Sequence, residues 1–485
     1  MTPSSVSKTP CGQASRCPPD VEERKSTDDS DTDGAYVRKL QNRLMPLTTG
    51  IGRDIRQGRA HDREILRLAV PAFGALVAEP LFLLTDSIIV GHLLDPALGA
   101  LGVASTGLTA LVGLCVFLAY ATTAAVARQL GAGDLRQAMR QGVDGMWLAA
   151  AIGVVIAVVC WPLAPFIVHV FGATGELAAQ AVTFLRVSLL GTPSMLVVLA
   201  GTGVLRGLQD TRTPLAVSVG SFVLNGLLNF WFVLGLRWGI AGSAWGTVIA
   251  QTLSAAIYLA FVIRSARRHG ASLRPDPRGV RAAGAAGFAL VIRTACLQIV
   301  LLVATSLATR MGEDQIEAHT IAARIWTFLA FSLDAIAIAG QAITGRALGA
   351  GDVAATRAAT RRMVMWGVAS GVVFGAIVLV ARPLIPSLFD ADALVGDHLM
   401  AVLWPVALFQ PVAGVVFVLD GVLIGAGDQR YLAWAALAST IVYLPLAALA
   451  GGLVALWLAL GAWMVARMVT LGARAYGTAW LVTGA

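Results

Sequence analysis

Long stretches of this sequence hold no Asp, Glu, Lys or Arg, among them Pro96–Ala127, Gly145–Gly175, Pro214–Leu236, Trp238–Ile263, Met363–Ala381 and Tyr431–Ala466. A helix crosses a bilayer with about 20 predominantly apolar residues. Each stretch is therefore long enough to be a span, and the last holds two, divided at Gly451-Gly452. Only 13% of the 485 residues are charged, where a soluble protein carries roughly a quarter. The wealth of Ala, Leu and Gly argues against a membrane barrel, whose strands alternate over about ten residues. The expected fold class is an all-α polytopic membrane protein.

Twelve spans are expected, at 65–92, 98–128, 142–170, 176–205, 213–236, 240–264, 283–310, 316–346, 360–388, 394–424, 431–450 and 454–474. They fall into two sets of six, and the chain repeats itself at an offset of 218 residues. Arg128-x-Leu130-Gly131-Ala132-Gly133-Asp134 returns as Arg346-x-Leu348-Gly349-Ala350-Gly351-Asp352. Gly203-Val204-Leu205 returns as Gly421-Val422-Leu423, and Pro193 falls on Pro411. An even number of spans per repeat leaves both halves in one orientation, related by a pseudo-two-fold axis along the membrane normal. Duplicated apolar chains of this kind are the mark of secondary transporters, with the substrate cavity between lobes.

The organisation read from this is a polar tail over 1–60, an N-lobe over 61–264, a linker over 265–282, a C-lobe over 283–475 and a short tail over 476–485. The first segment lacks the apolar run of a signal peptide, and its composition is that of a disordered segment. The linker is expected to be exposed and to let the lobes rock. Alternate loops, beginning with 128–141, hold most of the loop arginines, while the others hold only Arg237, Arg310 and Arg382. By the positive-inside rule both termini are cytoplasmic, and the expected location is the plasma membrane. The net charge of +8 is thus a topology signal spread over short loops, which argues against nucleic acid as a partner.

No metal spacing occurs among the cysteines. Asp29-Ser30-Asp31-Thr32-Asp33-Gly34 imitates the start of an EF-hand loop, but Leu40 stands where the twelfth-position Glu is required. No metal and no cofactor are expected. Gly131 and Gly133, and Gly349 and Gly351, are expected to supply positive φ for a reversal, with Asp134 and Asp352 capping the next helix. A gating role for Arg128 or Arg346, pairing across the cytoplasmic mouth, is the alternative for these loops. Thr213-Pro214 reads as N-cap and first helical residue.

Several motifs in order resemble those of the MATE multidrug exporters. They are Arg67-Leu68-Ala69-x-Pro71, Asp86-Ser87-x-x-Val90-Gly91-His92-Leu93, the two Leu-Gly-Ala-Gly-Asp loops, and Asn225-x-x-x-Asn229-Phe230 with Gly239-Ile240-Ala241-Gly242-Ser243-Ala244. Leu333-Asp334 with Gln341, and Leu419-Asp420-Gly421, are similar to the DinF branch. The resemblance implies efflux of drugs or other organic compounds driven by entry of protons or sodium. It also implies that the first-helix Asp, here Asp86, is the coupling residue, supported by Asn225 and Asn229 on the fifth span. Many relatives carry Asp where this chain has Asn229, so the resemblance implies a single-acid switch here.

An ionisable residue inside a span is costly and is a functional candidate by default. Asp86 is the first such group. Glu79 lies seven residues earlier on the same helix face, and Asp334 and Gln341 repeat that spacing in the C-lobe. With Asp420, these are the candidate cavity residues. Arg186 and Arg293 read as interhelical ties or snorkelling side chains, and His319 as a cap near the outer end of its helix.

The expected function is secondary active efflux by alternating access, with H⁺ or Na⁺ as coupling ion. The partners are a small cationic or amphipathic organic substrate and the lipid bilayer, and the protein is a monomer. The alternative within the same superfamily is a lipid-linked oligosaccharide flippase. An intramembrane prenyl- or glycosyltransferase would need paired acids for Mg²⁺ at a membrane-edge loop, and none is found, so no enzyme is expected. The lobes share scaffold rather than chemistry: at the offset of 218, Asp86 falls on Ala304, Asn225 on Tyr443, and Asp334 on Val116.

Overall fold

The computed structural model describes residues 61–78, 80–81, 97–389 and 391–484. The expectations for the tail over 1–60, for Glu79 and for Asp86 fall outside the described residues. The N-lobe holds α1 (61–78), α2 (Ala97–Leu114), α3 (Phe117–Gly131), α4 (Leu135–Val170), α5 (Gly175–Leu190), α6 (Thr192–Gly207), α7 (Arg212–Asn229) and α8 (Gly239–Arg268). The C-lobe holds α9 (Pro277–Met311), α10 (Glu313–Gly349), α11 (Val353–Ala381), α12 (Ile385–Leu388), α13 (Ala393–Leu408), α14 (Gln410–Gly425), α15 (Gln429–Ala448) and α16 (Leu453–Tyr476).

Nine stretches among the described residues are long and apolar enough to cross a membrane, and eleven if each of two bent pairs is one span. The bent pairs are α5 with α6, at 50°, and α13 with α14, at 49°. They correspond under the repeat: the breaks fall at Gly191 and Phe409, and Pro193 and Pro411 sit in the first turn after each break. A proline there loses no hydrogen bond that a helix start could make, so the second half begins cleanly at an angle. The remaining span, 65–92, is described only over its first part, as α1. Large apolar side chains point outward along the spans, such as Val158 at 67%, Leu302 at 70% and Val380 at 78% exposure. Exposed apolar surface on this scale needs a non-aqueous partner, and lipid is the one that span length supplies.

The linker is shorter than 265–282. Helix α8 runs on through Arg268 and α9 begins at Pro277, so the break between them is 269–276. It is also docked. Arg140 of α4 pairs with Asp276 at 2.9 Å, the Asp276 N–H donates to Asp144 at 2.9 Å, and the Trp147 indole donates to the Leu273 carbonyl. The start of α1 makes the matching crossing onto the C-lobe. Arg362 of α11 holds Asp62 through two hydrogen bonds, of 2.6 and 2.5 Å, and Trp366 donates to the same carboxylate at 2.8 Å. Each lobe thus begins against the third span of the other.

The capping expectations divide. The Asp134 and Asp352 side chains each accept from a backbone N–H at 2.8 Å, starting α4 and α11. Gly133 and Gly351 take positive φ, at 80° and 76°. Gly131 and Gly349 do not; they are the closing residues of α3 and α10, and their reason is packing between lobes. Thr213 does not cap α7. Asp210 does, accepting from the N–H groups of Arg212 and Thr213 at 3.0 Å each and from the Thr213 hydroxyl.

Candidate functional site

Helices α3 and α10 are equivalent under the repeat and lie against each other at the arginine-rich end of the bundle. A Cβ on Gly131 would lie 2.0 Å from the Arg346 carbonyl oxygen, and one on Gly349 would lie 1.9 Å from that of Arg128. Only glycine allows the two backbones this close. Arg346 then reaches into the N-lobe, donating to Gln209 at 2.6 Å and to Glu64 at 2.5 Å. Arg128 reaches the other way, donating to the Val482 carbonyl beyond α16. The arginine-rich end is therefore a closed foot made by both lobes.

Above the foot, charged groups from both lobes act on Asp334 of α10. The Tyr120 hydroxyl of α3 faces its carboxyl, and Arg206 of α6 and Arg293 of α9 are the cations that act on it. Arg206 and Arg293 are buried, whereas Asp334 and Tyr120 are half-buried. Asp334 is thus a half-buried acid between the lobes, with a buried cation of each lobe near enough to act on it.

Asp420, a candidate cavity residue, is enclosed, at 4% exposure. Arg293 donates to it from Nε and Nη2, the latter at 2.6 Å, and Arg467 of α16 donates to the same carboxylate. Asp420 therefore ties α14 to α9 and α16. Gln341 is also buried rather than exposed to a cavity; its backbone lies against Gly425.

In the N-lobe, Asn225 and Asn229 lie one turn apart at the end of α7, just before a π-helical turn over Phe230–Gly235. Both are buried. The Asn229 amide donates to Asn225 Oδ1 at 3.1 Å, and the Asn225 amide donates to the Thr247 hydroxyl of α8 at 3.1 Å. Helix α8 comes this near because residue 246 is glycine: a Cβ there would lie 2.1 Å from Asn229 Oδ1.

A cavity of about 120 Å³ lies within the C-lobe and is lined by Thr305, His319, Trp326, Phe409, Trp457 and Trp463 among others. His319 does not cap a helix; it is buried, with Nε2 3.4 Å from the Thr305 hydroxyl. Among the described residues no group of His, Cys, Asp and Glu could hold a metal ion.

Sequence reasoning did not single out Tyr120, Arg206, Arg467, Glu64 or Asp62. For two of them the repeat carries a usable signal. At the offset of 218, Arg206 falls on Ile424 and Arg467 falls back on Ile249. A charge in one lobe opposite an isoleucine in the other marks a role the scaffold does not require.

The MatE family model matches residues 71–231 and 289–449, two segments that are themselves offset by the repeat. The chain is 32% identical to DNA damage-inducible protein F of Escherichia coli (strain K12) over 85% of its own length and 91% of that protein's. It is 30% identical to Protein DETOXIFICATION 44, chloroplastic, of Arabidopsis thaliana, over 86% and 82% respectively. A probable multidrug resistance protein NorM of Pseudomonas putida is 29% identical over 86% of this chain and 90% of that protein. The fold matches that of a multidrug resistance MATE family transporter solved in an outward-facing conformation, with a TM-score of 0.78 at 22% identity, covering 86% of this chain and 96% of that one. Members of this family are transporters rather than enzymes. With the two-lobed helical bundle, the repeat and these matches together, the chain belongs to the MATE family of multidrug efflux transporters and is similar to its DinF-like members.

Proposed function

We propose that this protein exports small cationic or amphipathic organic compounds across the plasma membrane, with both termini cytoplasmic, in exchange for protons or sodium ions. The two lobes alternate between a state closed at the arginine-rich, cytoplasmic foot and a state open there. The observation that carries this reading is the reciprocal foot contact, Gly131 against Arg346 and Gly349 against Arg128. Two equivalent helix ends meeting without side chains between them can part as rigid bodies, and the rest of each lobe moves with them. The polar ties across that junction, Arg346 to Glu64 and Arg362 to Asp62, sit at its rim, where water can replace them when the lobes separate.

A ligand shifts such an equilibrium only by binding the two states unequally. Asp86 is the group proposed to take up the coupling ion, with Asn225 and Asn229 as the hydrogen-bonding groups that set its preference. Asp334 is proposed as the acid of the substrate crevice. A cationic substrate group competes for that acid with the nearby Arg206 and Arg293. The same crevice with the acid neutralised holds a cation poorly, which favours release.

The test is dye transport in everted membrane vesicles with the pH and sodium gradients collapsed separately. Loss of accumulation on collapsing one gradient supports the reading and names the ion. Accumulation that survives loss of both gradients rejects coupled antiport. Retention of gradient-driven accumulation in Asp86→Asn, at matched protein levels, rejects Asp86 as the coupling residue.

A further inference from the structure

We propose that residues 477–484 form a strap that holds the cytoplasmic foot closed, with Trp480 and Arg128 as its positioning residues; this rests on the alternating-access reading above. Gly477 ends α16, its N–H bonded back to the Ala473 and Arg474 carbonyls. The chain then turns and seats Trp480 in the C-lobe, where the indole is 2% exposed. The indole N–H bonds the carbonyls of Ala475 and Gly477 at 3.1 Å each, so the side chain is fixed in orientation as well as buried. Beyond it, the Gly484 N–H donates to the Leu348 carbonyl at 3.2 Å, on the last turn of α10. Val482 lies between these two anchors, and its carbonyl takes the Arg128 guanidinium from the opposite lobe.

The repeat explains why a strap is required. Arg346 and Arg128 are equivalent, and Arg346 finds an acceptor in Gln209 on the loop after α6. The residue equivalent to Gln209 is Gly427, on the loop after α14. The two share a backbone conformation, with φ of 63° and 78°, and Gly427 lies against the Arg128 guanidinium. Glycine has no side chain to accept a hydrogen bond, so the C-lobe loop offers Arg128 nothing in kind. The Val482 carbonyl fills that place. The tail thus completes for the C-lobe what Gln209 and Glu64 do for the N-lobe.

A hydrogen bond to a charged group that is partly shielded from water favours the state in which it forms by about tenfold or more. The strap therefore weights the equilibrium toward the closed foot. It also makes that weighting adjustable, since whatever competes for the segment around Trp480 releases the foot without touching the substrate crevice.

The experiment is a distance measurement between spin labels at Arg136→Cys and Ala354→Cys, equivalent exposed positions in the first turns of α4 and α11, in an otherwise cysteine-free full-length protein in lipid. Trp480→Ala and Arg128→Gln are each expected to raise the ratio of separated to closed foot by about tenfold, and Arg128→Lys, which keeps a charged donor, to restore most of the closed population. Arg128→Gln leaves Trp480 seated and keeps the test decisive should Trp480→Ala not be recovered folded. If the unsubstituted protein shows two distance populations and neither variant changes their ratio, the strap is rejected while alternating access stands. If the unsubstituted protein shows one distance under every substrate and gradient condition, alternating access itself fails.

Discussion

Gly349 at the end of α10 lies directly against the backbone carbonyl of Arg128 at the end of α3, so close that a Cβ would sit 1.9 Å from the oxygen. The obstacle is backbone of the other lobe, which cannot rotate aside as a side chain could. Gly349→Ala is therefore expected to force the lobes apart at the foot rather than to be absorbed locally. Overpacking of this kind costs about 1–3 kcal/mol, and here the strain is relieved in the state open at the foot. The distance between spin labels at Arg136→Cys and Ala354→Cys should shift toward the separated population, with gradient-driven efflux reduced. An unchanged distance distribution would show that the foot yields without opening.

Asp420 is one carboxylate shared by two buried arginines, Arg293 and Arg467. Removing the charge leaves both cations enclosed between α9, α14 and α16 without a counter-ion. Breaking a buried pair from one side costs about 3–5 kcal/mol. Asp420→Asn should lower the melting temperature measured in detergent and reduce folded yield. Asp420→Asn with Arg467→Met removes one stranded cation and should recover part of the loss. A double variant no more stable than the single one would mean that Arg467 contributes through its packing over Trp463, where its guanidinium lies 5.3 Å from the ring centre.

Much of this architecture is legible in the sequence because membrane spans are written in charge-free windows and the duplication repeats their spacing. Pro193 and Pro411 could be matched by offset alone. The bends they accompany could not, since an apolar window has the same composition whether its helix is straight or broken. The reason for Gly131 and Gly349 was equally hidden. A glycine beside a turn suggests positive φ, whereas here the constraint is a carbonyl belonging to the opposite lobe. The same limit applies to Asp334: the helix and its acid could be read off directly, but its companions Tyr120 and Arg206 come from helices more than a hundred residues away in sequence. Arg206 was within reach only through its mismatch with Ile424.

The docking of α1 onto α11 should depend on pH in a definite direction. The Arg362 guanidinium hydrogen-bonds Asp62 and, with the Trp366 indole, holds its carboxyl at a pKa of about 2, below the ordinary value of 3.8. A depressed carboxyl contributes stability that is fully present above its unfolded value and is lost as pH falls through the folded one. The contribution of Asp62 should therefore be constant from neutral pH to about 5, and should fall away between about 4 and 2. Melting of the purified protein across this range, compared with Asp62→Asn, isolates it. The two curves should differ at pH 7 and converge near pH 2. A separation that persists at pH 2 would assign the effect of Asp62→Asn to shape rather than charge.

Gly246 is the position at which the proposed coupling role of the asparagine pair can be separated from the fold. Its missing Cβ makes room for Asn229 Oδ1, which a methyl would meet at 2.1 Å. Gly246→Ala adds one carbon to helix α8, and alanine is the better helix former by about 0.5–1 kcal/mol, so the helix itself is not weakened. What must move is the Asn229 amide, and with it the hydrogen bond to Asn225 Oδ1. If this pair sets the ion preference of the N-lobe, Gly246→Ala should lose most gradient-driven efflux, on the order of tenfold for a hydrogen bond left unmade in a buried site. Substrate counterflow, which needs the lobes and the crevice but no ion gradient, should continue. The two assays, run on one vesicle preparation, distinguish the outcomes. Parallel loss of both would mean that the pair supports the packing of α7 on α8, and retention of both would remove Asn225 and Asn229 from the coupling site.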